Sequence, residues 1–306
     1  MVSESGLLFP IRVLSQRTGV GSSTLRAWER RYGLLQPKRT PKGHRLYSEA
    51  DVEWVKQVVA SLEGGLSLAL IAQQLQQPGE FSPQSDASTQ LVATPVWDDY
   101  QRQMRQAVAQ FAVERLDALF NEATALYPLE MVIQQLIEPI LSQLGQQWQR
   151  RQREREVAEE HLFSSWLRGR ISARFHHAYT QASGPRVVAA CVAGCFHETG
   201  LLLFSLMLLH RGYRVIYLGA DLPLHSLPLL SQQSGAKAVV LSVQTQMNPE
   251  VNGELMALLP QLSIPIMVGG ESSQFDWSSA EQQGVVVLGC DLQVALRLFC
   301  HRIGLR

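Results

Sequence analysis

Residues 187–200 read Val-Val-Ala-Ala-Cys-Val-Ala-Gly-Cys-Phe-His-Glu-Thr-Gly, an apolar run of strand length that ends in a short polar loop. A second apolar run, Leu201–Leu209, follows with the length of a helix. Four more runs of strand length alternate with helical patterns downstream: Arg214–Leu218, Ala238–Val243, Pro265–Val268 and Val285–Leu288. Continuous apolar strands that alternate with helices predict a parallel sheet covered by helices on both faces.

Small and polar residues stand where these strands end. The stretch Cys195–Gly200 follows the first strand, Ser242 ends the third, and Gly269 and Gly270 close the fourth. Open α/β sheets bind ligands at the carboxyl ends of their strands, and small residues there leave room for a bulky planar ligand. Neither GxGxxG nor GxxxxGK[ST] occurs, so the glycines of a dinucleotide site or a P-loop are missing.

The N-terminal segment has the pattern of a DNA-reading helix-turn-helix. Val13–Thr18 predicts a first helix, Gly19–Gly21 a turn, and Ser22–Tyr32 a second helix capped by Ser22 or Ser23. On the second helix the donors are Thr24, Arg26, Arg30 and Arg31, whereas Leu25, Trp28 and Tyr32 can pack inward. Residues 38–47 carry the turn residues and cations of a two-stranded wing, Lys42, His44 and Arg45 among them. Basic groups on one helix face and an apolar anchor on the other suit the major groove.

Charge is distributed unevenly along a chain whose net charge is zero. Residues 9–60 hold ten Lys/Arg and four Asp/Glu, so this segment carries +6 and the remainder −6. A phosphate backbone attracts such local positive charge. The four cysteines lack CxxC spacing and fit reduced thiols. We see no signal peptide and no membrane-spanning run, and therefore expect a cytoplasmic protein without a membrane partner.

We divide the chain by composition, because residues 79–95 are rich in Pro, Ser and Gln and read as a linker. The predicted domains are a winged helix-turn-helix at 9–78, a helical bundle at 96–182, and a Rossmann-like α/β domain at 186–306.

The string Thr24–Leu35, Thr-Leu-Arg-Ala-Trp-Glu-Arg-Arg-Tyr-Gly-Leu-Leu, followed by Gly-His-Arg-Leu-Tyr at 43–47, resembles the winged helix-turn-helix of MerR-type regulators. The resemblance implies that Arg26, Arg30, Arg45 and Tyr47 touch double-stranded DNA. It also implies that two copies bind an inverted repeat. MerR-type proteins usually dimerise through a long coiled coil, and no sustained heptad is present here.

The C-terminal pattern is similar to the cobalamin-binding fold, with its motifs Asp/Glu-x-His-x-x-Gly, Ser-x-Leu or Ser-x-Thr, and Gly-Gly. The resemblance implies that His197 is the lower axial ligand of cobalt, with Gly200 in the same motif. Ser242, Gly269 and Gly270 would line the channel for the cofactor's tail. Two positions differ from the family pattern: Cys195 stands where the motif has an acid, and Gln244 is the third residue of the serine motif.

Trp148 and the pair Glu160-His161 resemble the Trp-x9-Glu-His motif of CarH/LitR-type regulators, in which a four-helix bundle covers adenosylcobalamin. In that family light breaks the cobalt–carbon bond and changes the oligomeric state. The spacing here is two residues longer, and Gln149 stands where light-sensing members have a histidine. A methylcobalamin ligand is the other form we consider.

Three functions are compatible with this sequence. We favour a DNA-binding transcriptional regulator, not an enzyme, whose DNA binding or oligomeric state, as dimer or tetramer, is controlled by bound cobalamin, with light as a candidate trigger. The alternative is a MerR-like regulator whose degenerate cobalamin domain senses another signal or none, as Cys195 and Gln149 suggest. A corrinoid methyl-transfer component is the third, but no second substrate domain is evident.

Overall fold

The computed structural model describes residues 8–75, 96–150, 154–243, 249–271 and 276–304. The chain divides into two compact units, Met1–Leu162 and Phe163–Arg306. Among the described residues, no helix combines the length and the apolar character that crossing a membrane requires.

The first unit opens with the predicted helix-turn-helix and its wing. Its elements are β1 (Phe9–Pro10), α1 (Ile11–Thr18), α2 (Ser22–Ala27), β2 (Lys38–Arg39), β3 (Arg45–Tyr47), α3 (Glu49–Glu63) and α4 (Leu68–Leu75). The helix α2 continues as a π-helical turn over Trp28–Tyr32, and the three strands pair antiparallel in the order β1-β3-β2. The predicted serine cap is wrong: Gly21 is the N-cap of α2 and no side chain caps it, because Ser22 and Ser23 already lie in the first turn.

Four helical segments follow in the bundle region. They are α5 (Val96–Ala109), α6 (Val113–Leu126), α7 (Leu129–Val132) joined through a π-helical turn to α8 (Glu138–Arg150), and α9 (Glu154–Gln181). The buried residues of α6 are spaced as one helix face: Leu116, Leu119, Phe120, Ala123 and Leu126. The boundary between the two units falls within α9.

Pro139 lies inside α8 and does not break the helix. The π-helical turn Ile133–Ile137 comes just before it. A proline inside a helix leaves the carbonyl four residues earlier without its backbone donor. Here that carbonyl belongs to Gln135, and it accepts a hydrogen bond from Nε2 of Gln101 at 2.7 Å. A side chain from another helix therefore replaces the missing backbone donor.

The second unit contains the predicted α/β fold. Its strands and helices are β4 (Arg186–Val192), α10 (Thr199–His210), β5 (Arg214–Leu222), α11 (Leu227–Ser234), β6 (Ala236–Ser242), α12 (Pro249–Leu258), β7 (Ile266–Gly269), α13 (Ser278–Gln282), β8 (Val286–Gly289) and α14 (Leu292–Ile303). The five strands are all parallel, in the order β5-β4-β6-β7-β8. Because β4 lies between β5 and β6, the chain leaves β4 and β6 at the topological switch point, where open α/β sheets bind ligands.

Candidate functional site

The exposed face of the helix-turn-helix is basic. Arg26, Arg30 and Arg31 are exposed on the helix that begins at Ser22, and Lys42 and His44 are exposed in the turn of the wing. These five side chains keep their cationic or donor ends in solvent, as contact with phosphate oxygens requires.

Glu29 connects this helix to both strands of the wing, a role that sequence reasoning missed. Its carboxylate accepts a hydrogen bond from Nε of Arg45 at 2.6 Å and lies 3.2 Å from Nη2 of Arg39. The side chain of Glu29 is only 14% exposed, and its hydrogen bond to Arg45 raises the pKa of that guanidinium. Arg45, a predicted DNA contact, is therefore held in place by an ion pair. The sequence gives one signal for this role: Glu29, four residues before Gly33, is an acid in an otherwise basic helix.

Two predicted DNA contacts are buried. Thr24 is 3% exposed, and its hydroxyl donates to the carbonyl of Thr124 on α6 at 3.5 Å, whereas Tyr47 has no exposed surface. On the same side Nε1 of Trp28 donates to the carbonyl of Leu126 at 2.7 Å. This face of the helix packs against α6 and buries Thr24, whereas Tyr47 is buried in strand β3. Neither side chain has surface to offer DNA in this arrangement.

The loop of residues 193–198, which we call the His197 loop, connects β4 to α10 at the switch point. His197 is half-buried, and Phe196 beside it is 65% exposed. Gly200 lies in the first turn of α10. The loop therefore presents an imidazole and an aromatic ring at the ligand-binding edge of the sheet.

The thiol at the acid position of the motif is directed into the protein. Cys195 is 2% exposed, and its side chain hydrogen-bonds Cys191, which in turn contacts the hydroxyl of Ser242. This hydrogen bond from Cys195, together with burial, raises the pKa of the Cys191 thiol. Ser242 itself is 5% exposed. The motif serine and the motif cysteine are thus joined through Cys191 below the edge of the sheet.

The two predicted channel glycines have close backbone neighbours. A Cβ on Gly270 would lie 2.3 Å from the carbonyl oxygen of Val243, and the φ of Gly270 is +111°. A Cβ on Gly269 would lie 3.3 Å from the carbonyl oxygen of Gly289. Backbone therefore fills the space that a side chain at position 270 would need, and the channel role of both glycines stays a prediction.

A cavity of about 290 Å³ lies beside the His197 loop, inside the second unit. The C-terminal half of α9 forms one wall with Arg168, Phe175 and Tyr179, and Glu198 and Tyr217 form another. Burial, followed by the hydrogen bond to Glu198, raises the pKa of Tyr217.

The predicted cap residues lie in the first unit. Trp148 and Gln149 are in the last turn of α8, and their side chains fall outside the described part of the chain. Glu160 is half-buried and His161 is exposed on α9. Gln244 lies outside the described residues.

The donor set suits a metal that is already held in a macrocycle. Among the described residues, no group of three or more His, Cys, Asp or Glu side chains could hold a metal ion. A bare ion needs several protein ligands, but a metallated macrocycle needs only an axial one. A half-buried imidazole on a loop at the switch point meets that requirement.

Models of known protein families match both the N-terminal and the C-terminal regions of the chain. Residues 9–78 match the MerR HTH family regulatory proteins, and residues 100–174 and 185–292 each match a B12 binding domain. The chain is thus a MerR-type DNA-binding regulator with a B12-binding region.

Two relatives of similar length identify the family within this class. The chain is 30% identical over 265 residues to the HTH-type transcriptional repressor CarA of Myxococcus xanthus, covering 85% of each protein. It is 28% identical over 284 residues to the repressor CarH of the same organism, covering 91% of this chain and 94% of that one. It belongs to the family of these repressors. The monomethylamine corrinoid protein of Methanosarcina barkeri shares the fold, with a TM-score of 0.56 and 17% identity over 67% of this chain and 99% of that chain.

Proposed function

We propose that this protein is a transcriptional regulator whose binding to DNA is controlled by cobalamin. The observation that carries the proposal is the position of His197, half-buried on the loop at the switch point of a B12-binding sheet, in a chain that also presents an exposed basic helix. Bound cobalamin would supply a cobalt centre that can exchange a ligand. His197 would be the protein's ligand to that cobalt, and the His197 loop holds it at the edge of the sheet.

The DNA contacts that we propose are the cationic and donor side chains with exposed or half-exposed surface. They are Arg26, Arg30, Arg31, Lys42, His44 and Arg45. Each cation that reaches a phosphate releases counterions, so binding should weaken steeply as salt is raised. Two linked copies on an inverted repeat would gain affinity through effective concentration. Control of assembly therefore suffices to control occupancy of the DNA.

Cobalamin can act on this equilibrium only by binding two states of the protein unequally. We propose that bound adenosylcobalamin favours one assembly, as dimer or tetramer, and that Trp148, Glu160 and His161 cover its upper face. Light is the candidate trigger, because loss of the adenosyl group would remove contacts to that cap. Methylcobalamin, with a smaller upper ligand, would make fewer of these contacts.

The first experiment is an absorption spectrum of the protein after incubation with adenosylcobalamin and desalting in the dark. We expect a retained base-off spectrum that His197→Ala abolishes. His301→Ala is the matched control, since His301 is exposed on α14 of the same unit and outside the His197 loop. Retention by wild type and by the control, but not by His197→Ala, would establish the ligand. A protein that emerges colourless would refute the proposal.

The second experiment separates light from the cofactor. DNA fragments that bind the protein are first selected from a random pool. The gel-filtration volume of the cobalamin-loaded protein and its affinity for these fragments are then compared before and after illumination. A spectral change accompanied by a changed elution volume supports a photoreceptor. A spectral change without any change in assembly or DNA affinity would leave cobalamin bound but light without effect.

A regulator with a degenerate cobalamin domain is the second candidate, favoured by the buried Cys195 thiol at the acid position. A carboxylate there would orient the histidine, and loss of such a partner typically weakens metal binding about 10–100-fold. Unchanged DNA binding and unchanged response in His197→Ala would support this candidate.

A further inference from the structure

Asp221 ties the beginning of the His197 loop to the edge strand β5. Its carboxylate accepts a hydrogen bond from the backbone N–H of Gly194 at 2.7 Å. Its own backbone N–H donates to the carbonyl of Cys195 at 3.2 Å. Asp221 has a φ of 57°, a left-handed conformation that Asp tolerates better than most residues and that persists where surrounding contacts support it. Two hydrogen bonds therefore fix the first half of the loop.

Glu198 ties the end of the same loop to the same strand. Its Oε2 accepts a hydrogen bond from the hydroxyl of Tyr217, in β5, at 2.9 Å. Its Oε1 lies 3.1 Å from Nε of Arg168 on α9, and the Glu198 side chain is 17% exposed. The ring of Tyr217 also contacts Phe175 of α9, with 5.8 Å between ring centroids. The carboxylate next to His197 is thus held by groups from two elements.

Only Phe196 and His197 lie between these two attachments. A loop that is held at both ends has lost most of its freedom before a ligand arrives, and prior ordering lowers the cost of binding. In the family motif an acid at this position orients the histidine; here the position is Cys195, whose thiol hydrogen-bonds Cys191. Backbone attachment can take over part of that orienting task.

We propose that Asp221 and Glu198 are positioning residues, which together clasp the His197 loop to strand β5 so that the imidazole is presented to the corrinoid already ordered. The inference rests on the proposed cobalamin site. It adds a role for two carboxylates that do not themselves touch the cobalt.

The test is a set of cobalamin titrations, followed by absorption, on the full-length protein. Glu198→Ala and Asp221→Ala should each raise the dissociation constant for adenosylcobalamin about tenfold. This is the lower end of the loss of metal affinity that follows when an orienting partner is removed. Asp221→Asn should bind nearly as wild type, because an amide oxygen still accepts from Gly194 and Asn tolerates a positive φ. Glu254→Gln is the matched control, since Glu254 on α12 accepts from the backbone of His225 at 2.9 Å and neither residue belongs to the His197 loop.

A double-mutant cycle with His197→Ala distinguishes a positioning role for Glu198 from nonspecific destabilisation of the fold. If Glu198 acts through His197, Glu198→Ala should cause no further loss of affinity in a His197→Ala background, whose weaker binding is measured by titration at high cobalamin concentration rather than after desalting. An equal loss in both backgrounds would overturn the proposal. Glu198→Gln, which keeps the volume and the hydrogen bond to Tyr217, serves as the milder variant if the alanine protein does not fold. It should show a smaller loss with the same dependence on His197.

Hydrogen exchange of the apo-protein tests the clasp without any cofactor. Amides of residues 194–198 should exchange about fivefold faster in Glu198→Ala, the effect expected when an ion pair and a hydrogen bond are lost at a partly exposed site. Unchanged exchange would overturn the proposal. If wild type binds no cobalamin, the proposed function fails, but this exchange measurement still decides whether the clasp exists.

Discussion

Gly270→Ala tests whether this glycine serves the fold or only a ligand channel. In the structure a Cβ at position 270 would meet the carbonyl oxygen of Val243 at 2.3 Å and its carbonyl carbon at 2.9 Å. Ordinary carbon contacts lie near 3.5–4.0 Å. The strands must therefore separate by about 1 Å. The backbone N–H of Val243 donates to Gly269 at 2.8 Å, and this hydrogen bond lies in the path of that movement.

Gly289→Ala is the matched control. Gly289 also has a positive φ, +77°, and ends the neighbouring strand, but no heavy atom of the described residues lies within 4 Å of its Cβ position. The left-handed backbone alone costs an alanine about 1–2 kcal/mol. At Gly270, overpacking adds about 1–3 kcal/mol, and an unpaired buried backbone group adds about 1–3 kcal/mol. We expect a total near 3–8 kcal/mol for Gly270→Ala.

The assay is urea denaturation of both variants without cobalamin, followed by far-UV circular dichroism, with hydrogen exchange of β6 and β7 to locate the effect. Gly270→Ala should lose at least about 2 kcal/mol more free energy of unfolding than Gly289→Ala, and exchange should rise first in those strands. If the two variants are equally stable and differ only in cobalamin binding, the contact with Val243 does not constrain position 270, and Gly270 is a channel residue.

Three further predictions concern the first unit. Trp28→Phe leaves the carbonyl of Leu126 without its donor, and should lower the free energy of unfolding by about 1–3 kcal/mol in urea denaturation; unchanged stability would show that water replaces the indole. Burial raises the pKa of Tyr127 from 10.0 to about 12, which favours the neutral phenol in the fold. The free energy of unfolding should therefore fall as the pH rises from about 10 to about 12, and Tyr127→Phe should flatten that slope in denaturation curves measured across this range. Arg45→Ala should reduce the salt dependence of DNA binding by about one phosphate contact, whereas Lys56→Ala, on α3, should not; equal slopes for the two variants would remove Arg45 from the DNA interface.

The elements of both units could be predicted because their patterns are local. Each of the five strands of the parallel sheet forms where an apolar run predicts it, with ends that differ by at most four residues, as where β5 extends to Leu222. The turn between the first two helices contains Gly19, whose φ of 72° ends α1 as a left-handed cap. Periodicity and turn residues express these features within a few positions of the chain.

The features that the sequence did not reveal depend on residues far apart in the chain. The helix continues through Pro139 because Gln101, on a different helix, supplies a donor. Gly270 is constrained by the backbone of Val243, and Trp28 is buried against Leu126, 98 residues away. No local pattern contains the partner in any of these cases. A motif can therefore identify His197 but not the groups that hold it.

Carboxylates hold the candidate contact groups in both units. Glu29 binds Arg45 of the wing, and Asp221 and Glu198 hold the loop that carries His197. Neither the resemblance to MerR-type regulators nor the cobalamin motif assigns these acids a role, since motifs name the groups that reach the ligand. A ligand site binds more tightly when its contact groups are ordered before the ligand arrives, because ordering them on binding reduces affinity. The departure at Cys195 therefore does not by itself imply a lost cofactor, because Asp221 and Glu198 hold the same loop through other contacts.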